Sequence, residues 1–201
     1  SVVQEITGSG QEVLRWSSWG DIPLSDNLSG NLVEYAHVNS VVIDDDENLI
    51  ASLRGVSALV KINRRNGRLM WTLGGRSSDF TIDDPLGGFC GQHTAERLDN
   101  GNILLFDNGV DCAPDGTDRG VSRAAEYAVD EQARTAELVW SHSQGLFGFA
   151  TGSTQRLDNG NTLIGWGTAS VMSEVDAAGE ILWQARTRTT AGSNSPTYRV
   201  W

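Results

Sequence analysis

Apolar residues in this chain recur in short runs separated by turn sequences, a pattern that predicts β-strands joined in hairpins. The clearest example is 92–109, where two apolar runs flank an Asp-Asn-Gly-Asn turn. Asn-Gly between such runs favours a hairpin, because the turn needs positive φ angles that Gly and Asn tolerate. The same phrase returns at 155–164, and a looser copy lies at 37–52. This repeated hairpin predicts a repeat architecture.

A second kind of hairpin ends on tryptophan. It occurs at 2–16, 59–71, 125–140 and 173–183, and its last residues are Trp16, Trp71, Trp140 and Trp183. A large aromatic side chain buries much area on a pleated surface, so we expect these tryptophans to anchor the packing between neighbouring sheets.

An inner hairpin followed by an outer one makes a four-stranded antiparallel sheet, and repeated sheets of this kind are typical of β-propeller blades. The sequence therefore predicts an all-β propeller in a single domain over 1–201. Its blades are expected at approximately 37–71, 93–140 and 152–183, with a half-blade at 2–16 and a strand at 198–201. This is about three and a half to four blades, which favours part of a larger propeller. A four-bladed ring and self-association of two chains through open propeller edges stay as alternatives.

Composition and net charge limit the classes of molecule that are expected to bind this chain. Hydrophobic residues make up 39% and charged residues 20%, which fits a globular rather than a disordered chain. The net charge of −11 repels nucleic acid and anionic membrane surfaces, so we expect neither as a partner. No apolar run approaches the roughly 20 residues that a membrane span requires.

Two cysteines, Cys90 and Cys112, flank the hairpin at 92–109. They can form a disulfide in an oxidising compartment or stay as free buried thiols, and the sequence leaves both open. No second cysteine pair completes a zinc site. The acidic turn at 44–48 has calcium-binding residue types, but a solvated hairpin turn is favoured, so no metal is expected. A Ser-His-Asp hydrolase is not supported, because no Gly-x-Ser-x-Gly sequence is present in a strand-to-helix setting.

Several motifs occur along nearly the whole chain, namely His37-Val38-Asn39-Ser40, Trp71-Thr72-Leu73-Gly74-Gly75, Gln92-His93, Phe106-Asp107-Asn108-Gly109, Ser122-Arg123, Gln155-Arg156-Leu157-Asp158-Asn159-Gly160-Asn161 and Tyr198-Arg199. Their order is the one seen in the arylsulfotransferase family, and the chain most resembles the bacterial branch that is similar to the periplasmic arylsulfate sulfotransferases. The resemblance implies a six-bladed propeller that is secreted or periplasmic. It also implies transfer of a sulfuryl group from a small phenolic sulfate ester to a phenol, through a sulfated histidine and without a nucleotide donor or other cofactor.

The resemblance also implies a pocket in the central channel. His37 and His93 would be the catalytic residues, Arg123 would clamp the sulfate, and Asn39 and Asn108 would support them. Sulfuryl transfer needs a nucleophile and an acid, which a neutral imidazole and a neighbouring imidazolium can supply, while the planar guanidinium fork of Arg suits a sulfate. We take His37 and His93 as equivalent repeat positions at the start of innermost strands. The alternative is that each histidine caps its strand by hydrogen bonding to loop backbone.

The third histidine, His142, follows Trp140 by two residues and is expected on a surface loop. In the family the sulfated histidine belongs to a later blade, where this chain offers none. Either His37 or His93 therefore accepts the sulfuryl group, or the chain is a non-catalytic propeller that serves as a binding or assembly module.

Overall fold

A computed structural model describes residues 1–28, 30 and 32–200, apart from the side chain of Glu34. Its first hairpin consists of β1 (Val2–Ile6) and β2 (Glu12–Ser17). The strands that follow are β3 (Val38–Ile43), β4 (Leu49–Leu53), β5 (Ala58–Ile62), β6 (Leu69–Gly74), β7 (Thr81–Asp83), β8 (His93–Arg97), β9 (Ile103–Asp107), β10 (Arg123–Asp130), β11 (Thr135–His142), β12 (Ser153–Arg156), β13 (Thr162–Gly165), β14 (Val171–Val175) and β15 (Ile181–Arg186). Short 3₁₀ turns lie at Leu24–Asp26, Leu32–Glu34, Arg54–Val56 and Gly167–Ala169.

These strands form successive antiparallel sheets in chain order: β3-β4-β5-β6, then β8-β9-β10-β11, then β12-β13-β14-β15. Each sheet is the four-stranded blade that the two kinds of hairpin predict, and the all-β propeller fold class is confirmed. One strand was not foreseen. β7, from the loop that precedes the middle blade, pairs in parallel with β11 and extends that sheet to five strands.

The inner strands of the three blades lie side by side. The Ala95 amide in β8 donates to Ser40 Oγ in β3 at 3.2 Å. The Thr94 hydroxyl donates to the Gly152 carbonyl, just before β12, at 3.0 Å. The middle blade therefore touches both neighbours at its inner strand, so residues at the entrances of these strands are brought together.

Each inner hairpin is closed at its entrance by the same main-chain hydrogen bond. Donor and acceptor are Gly55 and Ala36 in the first blade, Gly109 and Cys90 in the second, and Thr168 and Ala150 in the third, each at 3.1 Å. The residue after each acceptor has a left-handed backbone; these are His37 (φ 48°), Gly91 (φ 60°) and Thr151 (φ 58°). This conformation turns the chain into the inner strand, and glycine adopts it at the lowest cost.

The same register corrects our expectation that His37 and His93 are equivalent. His37 corresponds to Gly91, whereas His93 lies two residues further along, inside its strand. Each hairpin has a bulge, near Asn39 in the first and near Thr94 in the second. In the sequence this offset is not visible, because both copies begin with a histidine ahead of an apolar run.

The strand expected at 198–201 is not formed over 198–200, and Trp201 lies outside the described residues. The Thr197 amide donates to the Gly167 carbonyl at 3.1 Å, and the Val200 amide donates to Ser153 Oγ at 3.0 Å. Because a side-chain hydroxyl takes the Val200 amide, this segment crosses the inner strand of the third blade without pairing with it as a β-ladder.

The prediction that the hairpin-ending tryptophans are buried between sheets is confirmed for only some of them. Trp16 and Trp71 are each 2% exposed, whereas Trp183 on β15 is 42% exposed. Trp140 is half-buried and packs its ring under the Arg156 guanidinium, 5.1 Å from the ring centroid. Trp166, which the pattern did not single out, is fully buried against Phe106 between the second and third blades.

A buried ion-pair network joins the first blade to the second. Lys61, the only lysine of the sequence, is 3% exposed and lies 2.7 Å from Asp44 and 2.8 Å from Glu131. Arg97 on β8 contacts the other Asp44 oxygen at 2.6 Å. Burial alone would raise the pKa of Asp44, but hydrogen bonds from Arg97 and Lys61 outweigh it and lower that pKa to about 2. The acidic turn at 44–48 is thus partly an inter-blade contact rather than a wholly solvated loop.

We expect Lys61→Met to lower the free energy of unfolding by about 3 kcal/mol at neutral pH, because it removes one partner of a buried carboxylate. The Asp44 pKa is depressed in the folded state, so the contribution is complete above the unfolded value of 3.8 and is lost as pH falls towards about 2. Urea unfolding at pH 7 and near pH 2.5 measures this loss. The exposed Arg65→Met is the control and should stay within about 0.5 kcal/mol of wild type. Equal effects of the two variants would contradict the network.

Candidate functional site

His93 is the first residue of β8 and is 3% exposed. Its Nδ1 lies 2.8 Å from Asn108 Oδ1, where Asn108 directly follows β9 of the same hairpin. The hairpin therefore brings together two residues that are fifteen positions apart in sequence.

The amide of Asn108 fixes which nitrogen of His93 carries the proton. Asn108 Nδ2 donates to the carbonyls of Gly148 at 2.5 Å and Thr151 at 2.9 Å, both from the loop before β12. Because Nδ2 is directed to these two carbonyls, the Asn108 atom that faces the imidazole is the acceptor Oδ1. His93 therefore donates through Nδ1–H. The neutral ring then holds its lone pair on Nε2, which is the nucleophilic nitrogen of this tautomer.

Burial holds His93 in that neutral form. Desolvation lowers the pKa of His93 to about 4. The hydrogen bond to Asn108 opposes this shift, because it favours the protonated ring. The charge of Arg54 and the neighbouring His37 lower it further. At neutral pH this imidazole is a base and a nucleophile rather than a cation.

Arg54 is a site residue that the sequence reasoning missed. It follows β4 as Asn108 follows β9, and its amide donates to the His37 carbonyl at 3.0 Å. The half-buried Arg54 also acts on Asp111, since its charge opposes the rise that burial causes in the Asp111 pKa. Placing the copies of the inner hairpin in register would have revealed it, because Arg54 and Asn108 each precede the glycine whose amide closes the hairpin.

His37 lies just before β3, is half-buried, and is close enough to influence the charge state of His93. His37, Arg54 and His93 therefore form a group that carries one fixed positive charge. We call this group, together with Asn108, the channel cluster.

Arg123 does not join the channel cluster. Its Nε contacts Asp107 at 2.8 Å and its Nη2 contacts Asp84 at 2.6 Å, and both carboxylates are fully buried. Nη2 also donates to the Gly88 carbonyl and to the Tyr127 hydroxyl. A sulfate at this guanidinium would have to displace a carboxylate, so these contacts assign Arg123 to holding the loop before β8 against β10, and not to the sulfate clamp that we expected.

Asn39 supports the channel cluster from the first blade. Its Nδ2 donates to the Gln92 carbonyl at 2.7 Å, which fixes the main chain one residue before His93. Its buried Oδ1 has no hydrogen-bond partner within the described part of the chain. Asn39 thus links two inner strands.

A disulfide ties the two ends of the His93 hairpin. Cys90 and Cys112 are bonded, with Cα atoms 5.1 Å apart, which confirms the disulfide alternative. The Cys90 amide donates to Asp107 Oδ1 at 3.0 Å, and its carbonyl accepts the Gly109 amide. The bond therefore fixes the entrance of β8 against the exit of β9, where His93 and Asn108 meet. Such a bond is typical of an oxidising compartment.

The C-terminal segment covers His93. The Tyr198 and His93 rings meet edge to face, with centroids 6.2 Å apart and planes at 86°. Beside them is a cavity of about 100 Å³ between β3, β8 and β12, lined by Ser40, Ala95, Ser153, Arg199 and Val200 among others. This cavity is therefore small, and the C-terminal segment forms part of its wall.

His142 is the last residue of β11 and packs its imidazole against Trp166, with ring centroids 6.0 Å apart. It is a packing residue between two blades rather than a surface-loop residue, and it contributes nothing to the channel cluster. Over residues 1–28, 30 and 32–200 there is no group of three or more His, Cys, Asp or Glu side chains placed to hold a metal. In the same part of the chain no helix is long and apolar enough to cross a membrane.

Similarity to known sequences shows to which protein family the chain belongs. A family model described as Arylsulfotransferase (ASST) matches residues 11–197, nearly the whole chain. The chain belongs to the arylsulfotransferase family. No curated protein matches this arylsulfotransferase-family chain.

Solved structures share its fold at low sequence identity. A protein of unknown function from Bacteroides caccae matches 91% of this chain and 53% of its own at 17% identity, with a TM-score of 0.52. A functionally unknown protein from Desulfotomaculum acetoxidans matches 90% of this chain and 49% of its own at 9% identity, with a TM-score of 0.53. The chain thus spans about half the length of these structures, and at such identities the likeness extends to the fold alone.

We expect the buried neutral His93 to make stability depend on pH in a defined window. Its folded pKa of about 4 lies below the usual 6.5, so the unfolded chain binds more protons between these values. Stability should therefore fall by up to about 3 kcal/mol between pH 7 and pH 4 on account of this one group. Urea unfolding of wild type and His93→Gln across that range isolates the effect, because glutamine does not titrate. Parallel pH profiles for the two proteins would refute a buried neutral His93.

Proposed function

We propose that this chain transfers a sulfuryl group from a small phenolic sulfate ester to a phenol, with His93 as the group that carries the sulfuryl group between them. The observation that carries the proposal is the tautomer of His93, which is buried, neutral and hydrogen-bonded through Nδ1, with the lone pair on Nε2. Family membership supplies the reaction class.

The reaction proceeds in two displacements at sulfur. In the first, Nε2 of His93 attacks the sulfur of the donor, an N–S bond forms, and the S–O bond to the aryl group breaks. In the second, the oxygen of the acceptor phenol attacks the same sulfur, an S–O bond forms, and the N–S bond breaks. The proton of the acceptor phenol ends on the released aryl oxide, so the exchange needs no other reactant.

Asn108 keeps the imidazole productive through both steps. Sulfation of Nε2 leaves a positively charged ring whose Nδ1–H still donates to Asn108 Oδ1. Because the other end of the Asn108 amide is held by two carbonyls, this acceptor cannot turn away. The amide therefore orients the nucleophile before the first step and stabilises the charged ring after it.

Arg54 and His37 are the groups proposed to contact the sulfate oxygens. Arg54 has a planar fork of donors suited to a sulfate, and it is the cation whose charge reaches His93. His37 lies beside it and is proposed as the acid that returns a proton to the leaving phenolate. Arg123 is left out, because its guanidinium is bound by Asp84 and Asp107.

The disulfide supports an extracytoplasmic location for this activity, in a secreted or periplasmic protein. A second function, a non-catalytic binding or assembly module, is favoured by one observation: the Tyr198 ring covers the imidazole that would act. The two functions differ in whether His93 Nε2 is reached by a donor, which an activity assay decides.

The test is sulfuryl transfer from p-nitrophenyl sulfate to phenol, followed by release of nitrophenol. We expect activity in wild type, and a loss of at least about 100-fold in His93→Gln, because the nucleophile is removed. Arg54→Met should lower kcat/KM by about 10- to 100-fold, as expected for the loss of charge-assisted hydrogen bonds to the sulfate.

Arg65→Met is the matched control, since Arg65 is an exposed arginine in the turn between β5 and β6, and it should stay within about twofold of wild type. An inactive wild-type protein, or a His93→Gln variant that retains wild-type activity, would refute the proposed function. In the first case the binding-module alternative would gain support.

A further inference from the structure

The segment after the third blade places a phenol of the chain itself at the channel cluster. We propose that Tyr198 is a sulfation site, whose phenol oxygen accepts the sulfuryl group from sulfated His93. This inference rests on the proposed function and adds an intramolecular acceptor to it.

Tyr198 is held close to His93 from both sides. The preceding residue, Thr197, is 6% exposed and its amide donates to the Gly167 carbonyl at 3.1 Å. Two residues further, the Val200 amide donates to Ser153 Oγ at 3.0 Å. Between these anchors the Tyr198 ring meets the His93 ring edge to face at 6.2 Å. A tethered phenol reacts at a high effective concentration, so it competes well with a free phenol acceptor.

The other tyrosines are unsuited to this role. The sequence holds three, and all lie in the described part of the chain. The hydroxyl of Tyr35, which is 7% exposed, donates to Ser18 Oγ at 2.9 Å. The hydroxyl of Tyr127, which is 1% exposed, donates to Asp84 at 2.6 Å. Tyr198 is 50% exposed, so its ring can both turn away from His93 and return to it.

The movement of the Tyr198 ring sets the order of the two transfer steps. With the Tyr198 ring turned outward, a phenolic sulfate ester reaches His93 Nε2, and the released aryl oxide departs. With the ring turned back, the phenol oxygen attacks the sulfur, the N–S bond breaks, and the imidazole regains its lone pair. The Tyr198 proton balances the charge of the released aryl oxide, so the net change converts the donor ester into free phenol and Tyr198 into its sulfate ester.

The experiment incubates the full chain with p-nitrophenyl sulfate and no added phenol, and then maps the product by mass spectrometry. Cleavage after Arg188 and Arg199 gives a peptide, 189–199, in which Tyr198 is the only tyrosine. We expect one SO₃ group on Tyr198 in wild type and in the control Tyr35→Phe, and none on this peptide in Tyr198→Phe. The labelled fraction at a fixed time should not change on dilution of the protein, because the transfer is intramolecular.

The outcomes separate this inference from the function on which it rests. If wild type transfers sulfuryl groups to added phenol but 189–199 stays unlabelled, or if the label maps to another residue of that peptide, the Tyr198 proposal is overturned and the function stands. If no nitrophenol is released even with phenol present, both are overturned. Labelling that falls in proportion to protein concentration would show transfer between molecules and would overturn the intramolecular step.

Discussion

The structure depends on one main-chain hydrogen bond that is repeated at the entrance of each described inner hairpin. An amide after the second strand closes onto a carbonyl before the first, at 3.1 Å in each of the three blades. The closure forces the next residue into a left-handed backbone, which turns the chain into the inner strand. Because the inner strands of neighbouring blades touch, every closure directs its flanking side chains to the same space.

The channel cluster follows from that constraint. In the first blade the closure places His37 before β3 and Arg54 after β4, and in the second it places Asn108 beside His93. The Cys90–Cys112 bond reinforces the second closure covalently, at the entrance of the strand that carries His93. Burial keeps the His93 imidazole neutral, and the hydrogen bond to Asn108 selects its tautomer. The neutral state of His93 is thus mainly a product of burial, to which the charges of Arg54 and His37 add.

Local sequence signals predicted what local physics controls. Asn-Gly turns between apolar runs predicted the hairpins, and the flanking positions of the two cysteines predicted that they could bond. What failed depends on distant residues. The role of Arg123 changed because Asp84, 39 positions away, reaches it from the loop after β7. Arg54 was missed because its significance appears only when it meets His93 across two blades. A bulge in each hairpin concealed the true register of the repeats.

The most direct test of the proposed site is the protonation state of His93 in the folded protein. Long-range ¹⁵N–¹H correlation spectra of protein labelled with ¹⁵N-histidine distinguish the two ring nitrogens. Comparison with His93→Gln assigns the signal. We expect a neutral ring with its proton on Nδ1 and a lone pair on Nε2, unchanged between about pH 5 and 8. A proton on Nε2, or titration with a midpoint near the usual value of 6.5, would contradict it.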